Sequence, residues 1–266
     1  MFIVNPYIYG GTTYLLDTYS AAAAYSLRQL KTGVTSVVRV RRSSDSAESD
    51  FTADEITDGT LTTWTGANDG FVTTWYDQVG SNDWTQSTAN EQFDVVSSGS
   101  LITNSNGNTS TLSTANWYSL TTPWVETQEM SMFYVSEPTA GRHITLGNAT
   151  SSQFVTMQNG EAAATTTRLG ATNRVFSGIT AYNQASIFTL LRDSIDNMNI
   201  FRDGTADASN PLTSSLDNTY DYSYFGRYYN TQSFGGYFSE FILFESDQSS
   251  NRTDIESDIN TYYSIY

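Results

Sequence analysis

The sequence of 266 residues contains no cysteine, one histidine and four prolines. Without cysteine there is no disulfide framework, no thiol nucleophile and no zinc site built on thiolates. With His143 as the sole histidine, we expect no transition-metal site. A Ser-His-Asp triad would depend on that same residue, and no Gly-x-Ser-x-Gly segment accompanies it. The composition therefore excludes thiol chemistry and argues against catalysis by histidine.

Positive charge and long apolar runs are scarce as well. The chain has 12 lysines and arginines against 28 aspartates and glutamates, which gives a formal net charge of -16. This balance argues against binding to nucleic acid or to anionic membrane surfaces, which require clustered basic residues. No apolar run approaches the ~20 residues that span a bilayer, and no charged-then-apolar leader opens the chain. We expect neutral glycans, cations or basic protein surfaces as partners, and no membrane insertion.

Aromatic residues are abundant, with 18 tyrosines and 14 phenylalanines. From residue 70 onward, short apolar segments alternate with Gly, Asn, Ser and Asp, a pattern typical of strands joined by tight turns. We therefore predict an all-β, antiparallel sandwich. The predicted strands are Ser36–Arg42, Phe71–Asp77, Phe93–Val96, Met130–Ser136, His143–Gly147, Phe154–Gln158, Ala162–Leu169, Ala185–Arg192, Asn199–Arg202, Tyr222–Gly226 and Gly236–Phe244.

Two helices are predicted, one before and one after these strands. Within Ala21–Lys31, apolar residues recur at helical spacing, at Ala23, Leu27 and Leu30. Near the end of the chain, Ile255, Ile259 and Tyr262 recur at the same spacing behind residues suited to cap a helix. The second pattern predicts a terminal helix that lies against the sheet. The predicted fold is thus a sandwich with a short early helix and a C-terminal helix.

The first residues form a separate apolar segment. Phe2–Tyr9 is interrupted by Pro6 and followed by two glycines, and a proline in such a segment favours an edge strand or an extended arm. We divide the chain into an N-terminal arm, residues 1–17, and a single sandwich domain, residues 18–266. The arm either completes the sheet or docks on another subunit. Its docking residues would be Phe2, Ile3, Val4, Tyr7 and Ile8.

Several segments carry a resemblance to known proteins. Ala24–Leu30, Val38–Asp45 and Val72–Gln78 resemble the catalytic domain of fungal α-L-arabinofuranosidase B. Gly236–Ile242, with the terminal helix, is similar to that family and to laminin-G modules of the concanavalin A-like class. The same motifs behind a short arm are similar to a group of bacteriophage virion proteins. The resemblance implies a two-sheet, concanavalin A-like jelly roll.

The resemblance also implies where a glycosidase of this family would carry its catalytic groups. Its members are retaining enzymes, which use two carboxyl groups about 5–5.5 Å apart. The family nucleophile stands in a Val-x-Met-Glu-Asn strand, and the matching run Val155–Asn159 has Gln158 at that position. The acid/base position matches Tyr229. Because a glutamine cannot form the glycosyl-enzyme bond, we expect no catalytic residues and no enzyme. The alternative is a displaced carboxylate at Asp77, Glu161 or Glu240.

Aromatic residues at two strand ends form the predicted ligand surface. Trp75 and Tyr76 point to opposite faces of one strand, so one of them is core and the other can meet a sugar ring. Tyr220, Tyr222 and Tyr224 alternate onto one face, and tyrosines between residues 220 and 229 suit both sugars and protein interfaces. The alternatives are core packing for this cluster and a turn cap for Asp77. The candidate residues for glycan or partner contact are Trp75, Asp77, Tyr220, Tyr222, Tyr224, Tyr228 and Tyr229.

The sequence also suggests roles for Glu240 and for two segments rich in aspartate. Glu240 lies in an apolar strand, so we expect a structural ion pair or hydrogen bond, with an arginine among Arg39–Arg42 as its partner. Asp203–Asp207 and Asp217–Asp221 are loose candidates for oxygen-ligated calcium, although neither has the EF-hand spacing. We expect no other cofactor.

These observations favour a non-enzymatic virion protein, a fibre, spike or decoration protein that binds host-surface polysaccharide. It would be made in the host cytoplasm, form a homo-oligomer and contact other virion proteins through its arm. Two alternatives stay open. An active glycosidase requires two carboxyl groups that face each other. A purely structural capsid or tail module requires that Tyr220–Tyr229 be buried against a partner.

Overall fold

The computed structural model shows an all-β sandwich with a C-terminal helix, which confirms the predicted fold class. None of the helices in the described part of the chain has the length and hydrophobicity needed to cross a bilayer. The predicted docking residues, Phe2–Ile8, lie outside the described residues, and the division after residue 17 stays a prediction. The structure describes residues 12–125, 129–140, 142–148, 154–159, 165–169, 176–177, 184–194, 198–206, 221–228 and 232–266.

Each predicted strand has a counterpart in the structure, with ends that differ by a few residues, and further strands that were not predicted lie between them. Up to residue 114 they are α1 Leu15–Thr18, β1 Ala23–Ser26, β2 Val38–Arg42, β3 Glu48–Phe51, α2 Ala53–Thr57, α3 Thr60–Thr65, β4 Gly70–Trp75, β5 Trp84–Thr85, a 3₁₀ helix Ala89–Glu91, β6 Phe93–Ser97, β7 Ser100–Leu101 and β8 Thr111–Thr114. The later elements are β9 Tyr118–Val125, β10 Met130–Ala140, β11 Arg142–Gly147, β12 Phe154–Asn159, β13 Thr165–Leu169, β14 Phe176–Ser177, β15 Ser186–Arg192, β16 Met198–Arg202, β17 Thr205–Ala206, β18 Asp221–Phe225, β19 Arg227–Tyr228, β20 Gln232–Ser233, β21 Gly235–Phe244 and α4 Arg252–Tyr263.

The strands pair antiparallel in two layers. The front layer has the order β3, β2, β4, β5, β9, β18, β11, β12, β13 and β14. The back layer has the order β1, β21, β10, β15, β16 and β17. Strand β6 pairs with β4 beside β5, and β8 joins the layers because it pairs with both β6 and β21. Strands β19 and β20 form a separate pair.

Aromatic side chains fill the space between the layers. Trp84 of β5 stacks on Tyr25 of β1 at 4.0 Å between ring centres, and on Phe225 of β18 at 3.9 Å. Trp75 of β4 meets the Trp84 ring edge-on at 5.9 Å. All four side chains are fully buried. The Trp84 indole therefore contacts both layers and contributes to their spacing.

A second apolar cluster lies on the far side of the back layer, under helix α4. The helix buries Ile255, Ile259 and Tyr263, whereas Tyr262 is 44% exposed. The predicted terminal helix is confirmed, but its predicted inward face is wrong by one residue, because Tyr263 continues the four-residue spacing of the isoleucines. Strands β15 and β21 are buried along almost their whole length because both of their faces are covered.

The helix predicted at Ala21–Lys31 is wrong, because Ala23–Ser26 forms strand β1 and pairs with β21. The periodicity of a short apolar run does not separate helix from buried strand, and here the distant partner decides. The early helix of the fold is instead the single turn α1, whose Leu15 and Leu16 are buried in the second cluster.

The side chain of Gln78 replaces the helical hydrogen bonds of this early segment. Its amide nitrogen donates to the carbonyl oxygens of Ser26 at 3.0 Å and Arg28 at 2.8 Å. Its amide oxygen accepts from the N–H of Leu30 at 2.7 Å. Buried backbone groups need such partners, so one glutamine from the end of β4 satisfies a non-helical segment.

One buried ion pair connects β1, β21 and α4. Arg28 donates to the carboxylate of Glu240 from Nε at 2.8 Å and from Nη2 at 3.0 Å, and the Glu240 side chain is fully buried. The hydroxyl groups of Ser26 and Tyr263 also donate to Glu240. The expected structural ion pair is confirmed. Its predicted partner among Arg39–Arg42 is wrong, because those arginines belong to the front layer.

We predict that Glu240→Gln lowers the free energy of unfolding by about 3–5 kcal/mol, because it leaves the Arg28 guanidinium buried beside an uncharged amide. Asp258 accepts from the same arginine at 2.8 Å but is 36% exposed. Asp258→Asn should therefore cost less than about 1 kcal/mol. Urea denaturation of both variants measures these values. Equal losses would show that burial does not determine the strength of the pair.

Candidate functional site

A row of polar side chains crosses the outer face of the front layer. Strand registers align one residue from each of β3, β2, β4, β5, β9 and β18, namely Asp50, Arg39, Thr74, Thr85, Ser119 and Tyr224. Side chains alternate along a strand, and the sequence neighbours of these residues point into the core, among them Trp75, Trp84 and Phe225. The register continues on β11 to Gly147, which has no side chain.

Four residues of the row, Arg39, Thr74, Thr85 and Ser119, line a groove of about 450 Å³, which is within the size range of ligand pockets. Thr85 Oγ1 donates to the Ser119 carbonyl at 3.4 Å, and Ser119 Oγ donates to the Thr85 carbonyl at 3.2 Å. Each hydroxyl oxygen keeps lone pairs for a ligand. The groove is lined by Arg39, Arg41, Glu48, Thr73, Thr74, Thr85, Gln86, Ser87, Thr88, Ala89, Gln92, Trp117 and Ser119.

An arginine stacked on two aromatic rings borders the groove at Trp117. The guanidinium carbon of Arg227 lies 3.2 Å from the centre of the Trp117 ring and 4.4 Å from the centre of the Tyr224 ring. The two rings meet edge-on, with centres 5.3 Å apart. All three side chains are partly exposed. Trp117, Tyr224 and Arg227 are called the aromatic–arginine cluster below.

The aromatic–arginine cluster depends on the absence of a side chain at Gly226. Its φ is +91°, and a Cβ there would lie 2.5 Å from the carbonyl oxygen of Asn116 and 3.0 Å from Trp117 Cα. The backbone after β18 therefore passes directly against the segment that precedes β9. Only a residue without a side chain allows this approach, which brings Arg227 onto the Trp117 ring.

Buried amide side chains hold the segment that carries Trp117. Gln86 donates to the Trp117 carbonyl at 2.7 Å, and Asn116 donates to the Gln92 carbonyl at 2.7 Å. Gln92 donates in turn to the Gln86 carbonyl at 2.9 Å. All three amides are buried, so their hydrogen bonds fix the segment without a ligand.

Arg41 lines the groove from β2 and is held by uncharged groups. Its Nε donates to Oε1 of Gln92 at 2.8 Å, and its guanidinium carbon lies 4.6 Å from the centre of the Phe71 ring. Its cross-strand neighbour Glu48 is exposed. Within the part of the chain that the structure describes, no carboxylate lies at ion-pair distance from Arg41.

The charge of Arg39, in contrast, is offset by an ion pair with Asp50. Asp50 accepts from Arg39 at 2.7 and 3.0 Å and from the hydroxyl of Tyr76 at 2.7 Å. The hydrogen bonds from Arg39 lower the pKa of Asp50, and the same bonds raise the pKa of Arg39. Burial, with the hydrogen bond to Asp50, raises the pKa of Tyr76 to about 12. Asp50 is therefore ionised at neutral pH.

A second cavity, of about 520 Å³, lies beyond this ion pair and is lined in part by Asp50, Tyr76, Asp77 and Asp83. Burial raises the pKa of Asp83; a hydrogen bond from the Asp77 N–H lowers it, and the Asp77 carboxylate raises it. The cavity is thus lined by one carboxyl group whose pKa is raised, Asp83, and by another whose pKa is lowered, Asp50. Opposite shifts of this kind are what acid–base catalysis uses.

The structure corrects two of the candidate ligand residues. Trp75 and Tyr222 are 0% and 1% exposed, so neither offers a ring to a ligand. Tyr76 is the partly exposed member of the Trp-Tyr pair, and its hydroxyl donates to Asp50. The expected common face of Tyr222 and Tyr224 is also wrong, because a register shift against β9 separates them and leaves Tyr224 on the outer face.

Asp77 has a structural role. Its carboxylate accepts from the N–H of Ala24 at 3.1 Å and of Val79 at 3.0 Å, and the residue is 8% exposed. It therefore joins the turn after β4 to β1. Tyr224 contacts Trp117 at the edge of the groove, and its contact with a ligand stays a prediction. Of the remaining candidate tyrosines, Tyr228 lies in strand β19, and the structure describes only its backbone. Tyr220 and Tyr229 lie outside the described residues.

The positions assigned by family resemblance are described in part. Gln158 lies in strand β12, as predicted, and the acid/base position Tyr229 and the displaced candidate Glu161 lie outside the described residues. The carboxylate of Glu240 forms the buried ion pair with Arg28. Among the described residues, no three His, Cys, Asp or Glu side chains come together in a way that holds a metal ion. Calcium binding stays a prediction, with Asp203 in the turn between β16 and β17.

Trp117 and Arg227 are absent from the residues predicted from the sequence. A local signal exists for Trp117, because it alternates with the core residue Tyr118 and shares the outer face with Ser119. No local signal indicates Arg227, since its position depends on the contact that Gly226 permits between two distant segments.

No protein-family model and no curated protein sequence matches the chain. Its fold is similar to that of a GH54 α-L-arabinofuranosidase soaked with a cyclic sulfate inhibitor, with a TM-score of 0.64 and 14% identity. The match covers 90% of this chain, which spans 62% of the length of that enzyme chain. Weaker similarity is found to Trypanosoma rangeli sialidase (TM-score 0.48, 9% identity, 72% of this chain and 31% of that one). The CBM40 module of Ruminococcus gnavus IT-sialidase bound to α2,3-sialyllactose has a TM-score of 0.40 and 13% identity, with 50% of this chain and 83% of that one covered.

One expectation is contradicted by these similarities. The protein was expected not to be an enzyme, yet a glycosidase shares its fold, so the fold is enzyme-like. The resemblance to arabinofuranosidases is confirmed at the level of the fold. At 14% identity the fold is what the two proteins share, and the activity has to be inferred from the side chains of the site.

We predict that Gly226→Ala lowers the free energy of unfolding by about 2–4 kcal/mol, through backbone strain and the clash with the segment of Trp117. Gly107→Ala is the matched control, because its φ is +80° and nothing lies within 4 Å of an added Cβ. It should cost only about 1 kcal/mol, for strain alone. Urea denaturation measures both costs, and near-UV circular dichroism reports displacement of the tryptophan. Equal costs with unchanged spectra would contradict the close approach of the two backbones.

Proposed function

We propose that this protein binds polysaccharide in the groove on the outer face of the front layer. The observation that carries the proposal is the aromatic–arginine cluster at one end of a row of hydroxyl groups. Aromatic rings cover the apolar faces of sugars, while hydroxyl and guanidinium groups hydrogen-bond to sugar hydroxyls. The groove offers both kinds of contact in one place.

The dimensions of the row favour a chain of sugars over a single one. Between Asp50 and Tyr224 there are five strand spacings of about 4.8 Å, or about 24 Å in total. The floor is built from paired strands, and buried amides fix the loop that carries Trp117. A ligand would therefore meet a site that loses little conformational freedom on binding.

For the biological setting, we propose a virion fibre, spike or decoration protein that is made in the host cytoplasm and binds host-surface polysaccharide. The support is the resemblance of three sequence segments and the short arm to bacteriophage virion proteins. In this setting the groove would face the host. The arm at Phe2–Ile8 would contact other virion proteins or further copies of this chain.

Trp117→Ala should weaken polysaccharide binding about tenfold, because loss of a stacked ring costs about 1.4 kcal/mol. The measurement is isothermal titration calorimetry of the purified protein against a panel of neutral and acidic bacterial surface polysaccharides. Tyr262→Ala is the control, because it removes an aromatic ring that is 44% exposed on helix α4, away from the groove. It should bind like the unaltered protein.

Two results would contradict the proposal. One is binding that Trp117→Ala leaves unchanged, which would place the ligand elsewhere on the protein. The other is no binding of the unaltered protein to any member of the panel. Thermal melts of both variants show whether a loss of affinity arises from unfolding.

A second candidate function is hydrolysis of a glycan at the second cavity. The observation that favours it is that Asp83 and Asp50, with pKa values shifted in opposite directions, line the same cavity. Asp83 would give its proton to the leaving oxygen, and ionised Asp50 would act as base or nucleophile. Tyr76 orients the Asp50 carboxylate through its hydrogen bond. The fold shared with an arabinofuranosidase supports this candidate.

For hydrolysis by this pair, the release of reducing ends should depend on pH as a bell. The rate falls at low pH as Asp50 gains a proton below its lowered pKa, and at high pH as Asp83 loses its proton above its raised pKa. Asp83→Asn should abolish turnover and leave the calorimetric affinity unchanged. Asp94→Asn is the control, since burial raises the pKa of Asp94 to about 6 but the residue does not line the cavity. Turnover that survives Asp83→Asn would exclude the pair.

A further inference from the structure

We infer that the groove binds an acidic polysaccharide, whose carboxylate groups are recognised by Arg227 and Arg41. The inference rests on the proposed function and names the class of ligand for the same groove. It differs from the expectation drawn from the formal net charge of -16, because that charge describes the whole chain. Arg41 lines the groove and Arg227 lies on Trp117 at its edge, and neither arginine has an acidic partner among the described residues.

Arg41 and Arg227 differ from other arginines of the described chain in the groups that they contact. Five other arginines form ion pairs with aspartate or glutamate, and one of them, Arg39, also lines the groove. These five are Arg28, Arg39, Arg42, Arg202 and Arg252. Arg41 bonds instead to an amide and a carbonyl oxygen, and Arg227 lies on aromatic rings. Acidic residues outnumber basic ones by 28 to 12, so partners are plentiful. Two arginines that border one groove and both lack such a partner indicate a site for an external anion.

Arg227 is arranged to receive a carboxylate. The guanidinium carbon lies close to the rings of both Trp117 and Tyr224, and these uncharged rings do not neutralise its charge. Its Nε is buried and has no hydrogen-bond partner. An external ligand does not reach this buried atom, so its contact with Arg227 has to use the terminal Nη groups of the partly exposed side chain. A carboxylate fits, because it accepts two parallel hydrogen bonds in the plane of the guanidinium.

Arg41 supplies the second charge. Its cross-strand neighbours are Glu48 on one side and Phe71 on the other, and its guanidinium extends over Phe71 to Gln92. Glu48 lines the groove and opposes an anion there, but no ion pair joins it to Arg41. Since Asp50 offsets the charge of Arg39, the positive charge of the groove comes from Arg41 and Arg227. Two such arginines along a floor of hydroxyl groups suit a polymer with repeated carboxylates better than one small anion.

Polygalacturonate, alginate and hyaluronate, each compared with its carboxyl methyl ester, test the inference. Methylation removes the charge and keeps the sugar backbone. We expect the unaltered protein to bind an acidic form about tenfold or more tightly than its ester, as one charge-assisted bidentate contact allows. Arg227→Gln should reduce the affinity for the acid to that for the ester, and Arg41→Gln should reduce it in part. Arg42→Gln is the control, because Arg42 also stacks on a tryptophan, 4.6 Å from the Trp64 ring centre, but outside the groove.

The outcomes distinguish this inference from the proposed function. Equal affinity for acid and ester, or binding to neutral polysaccharides of the earlier panel without binding to any of the three acids, would overturn the inference and leave the groove as a glycan site. Absence of binding to every acidic and neutral polysaccharide would overturn both. Arg227→Lys keeps the charge and loses the planar fork, so the preference for acid should shrink. A preference that Arg227→Gln leaves intact would also overturn the inference.

Discussion

The stacking of Trp84 between Tyr25 and Phe225 is the contact on which the candidate site depends. It joins the back layer to two strands of the front layer and so fixes how β5 and β18 face the core. Because side chains alternate along a strand, an inward Trp84 puts Thr85 on the outer face, and an inward Phe225 puts Tyr224 there. The groove is therefore the outer side of a packing arrangement that the core already requires.

Two arginines show how the surroundings decide what a guanidinium does in this protein. Arg28 is buried, so it requires the carboxylate of Glu240, and the pair joins β1, β21 and α4. Arg227 is partly exposed on two ring faces, where it keeps its charge without a carboxylate. The first contributes to the fold, and the second leaves its charge for a ligand. A strongly acidic chain can thus present a locally positive groove.

Many of the strands and the terminal helix could be predicted because their signals are local. Alternation places Arg39 and Arg41 on the outer face of β2, as the sequence indicates, and turn residues mark most strand ends. Prediction failed where a distant segment decides. Ala21–Lys31 has helical spacing, but the side chain of Gln78 satisfies its backbone as an extended segment. Tyr224 in the site was predicted, whereas Arg227 was not, because it needs the approach that Gly226 permits.

The segments that carry the sequence resemblance have a structural reason to occur together. Asp77 accepts from the backbone of Ala24, and Gln78 bonds three backbone groups between residues 26 and 30. These residues hold the end of β4 against β1, and both of their side chains are buried. A motif of this kind is typical of a fold. It does not determine which residues occur at the groove, such as Arg41 and the aromatic–arginine cluster. Two proteins can therefore share a fold at 14% identity and differ in ligand. The charge and geometry of the groove are then a better guide to what this protein binds than the substrate of any enzyme with the same fold.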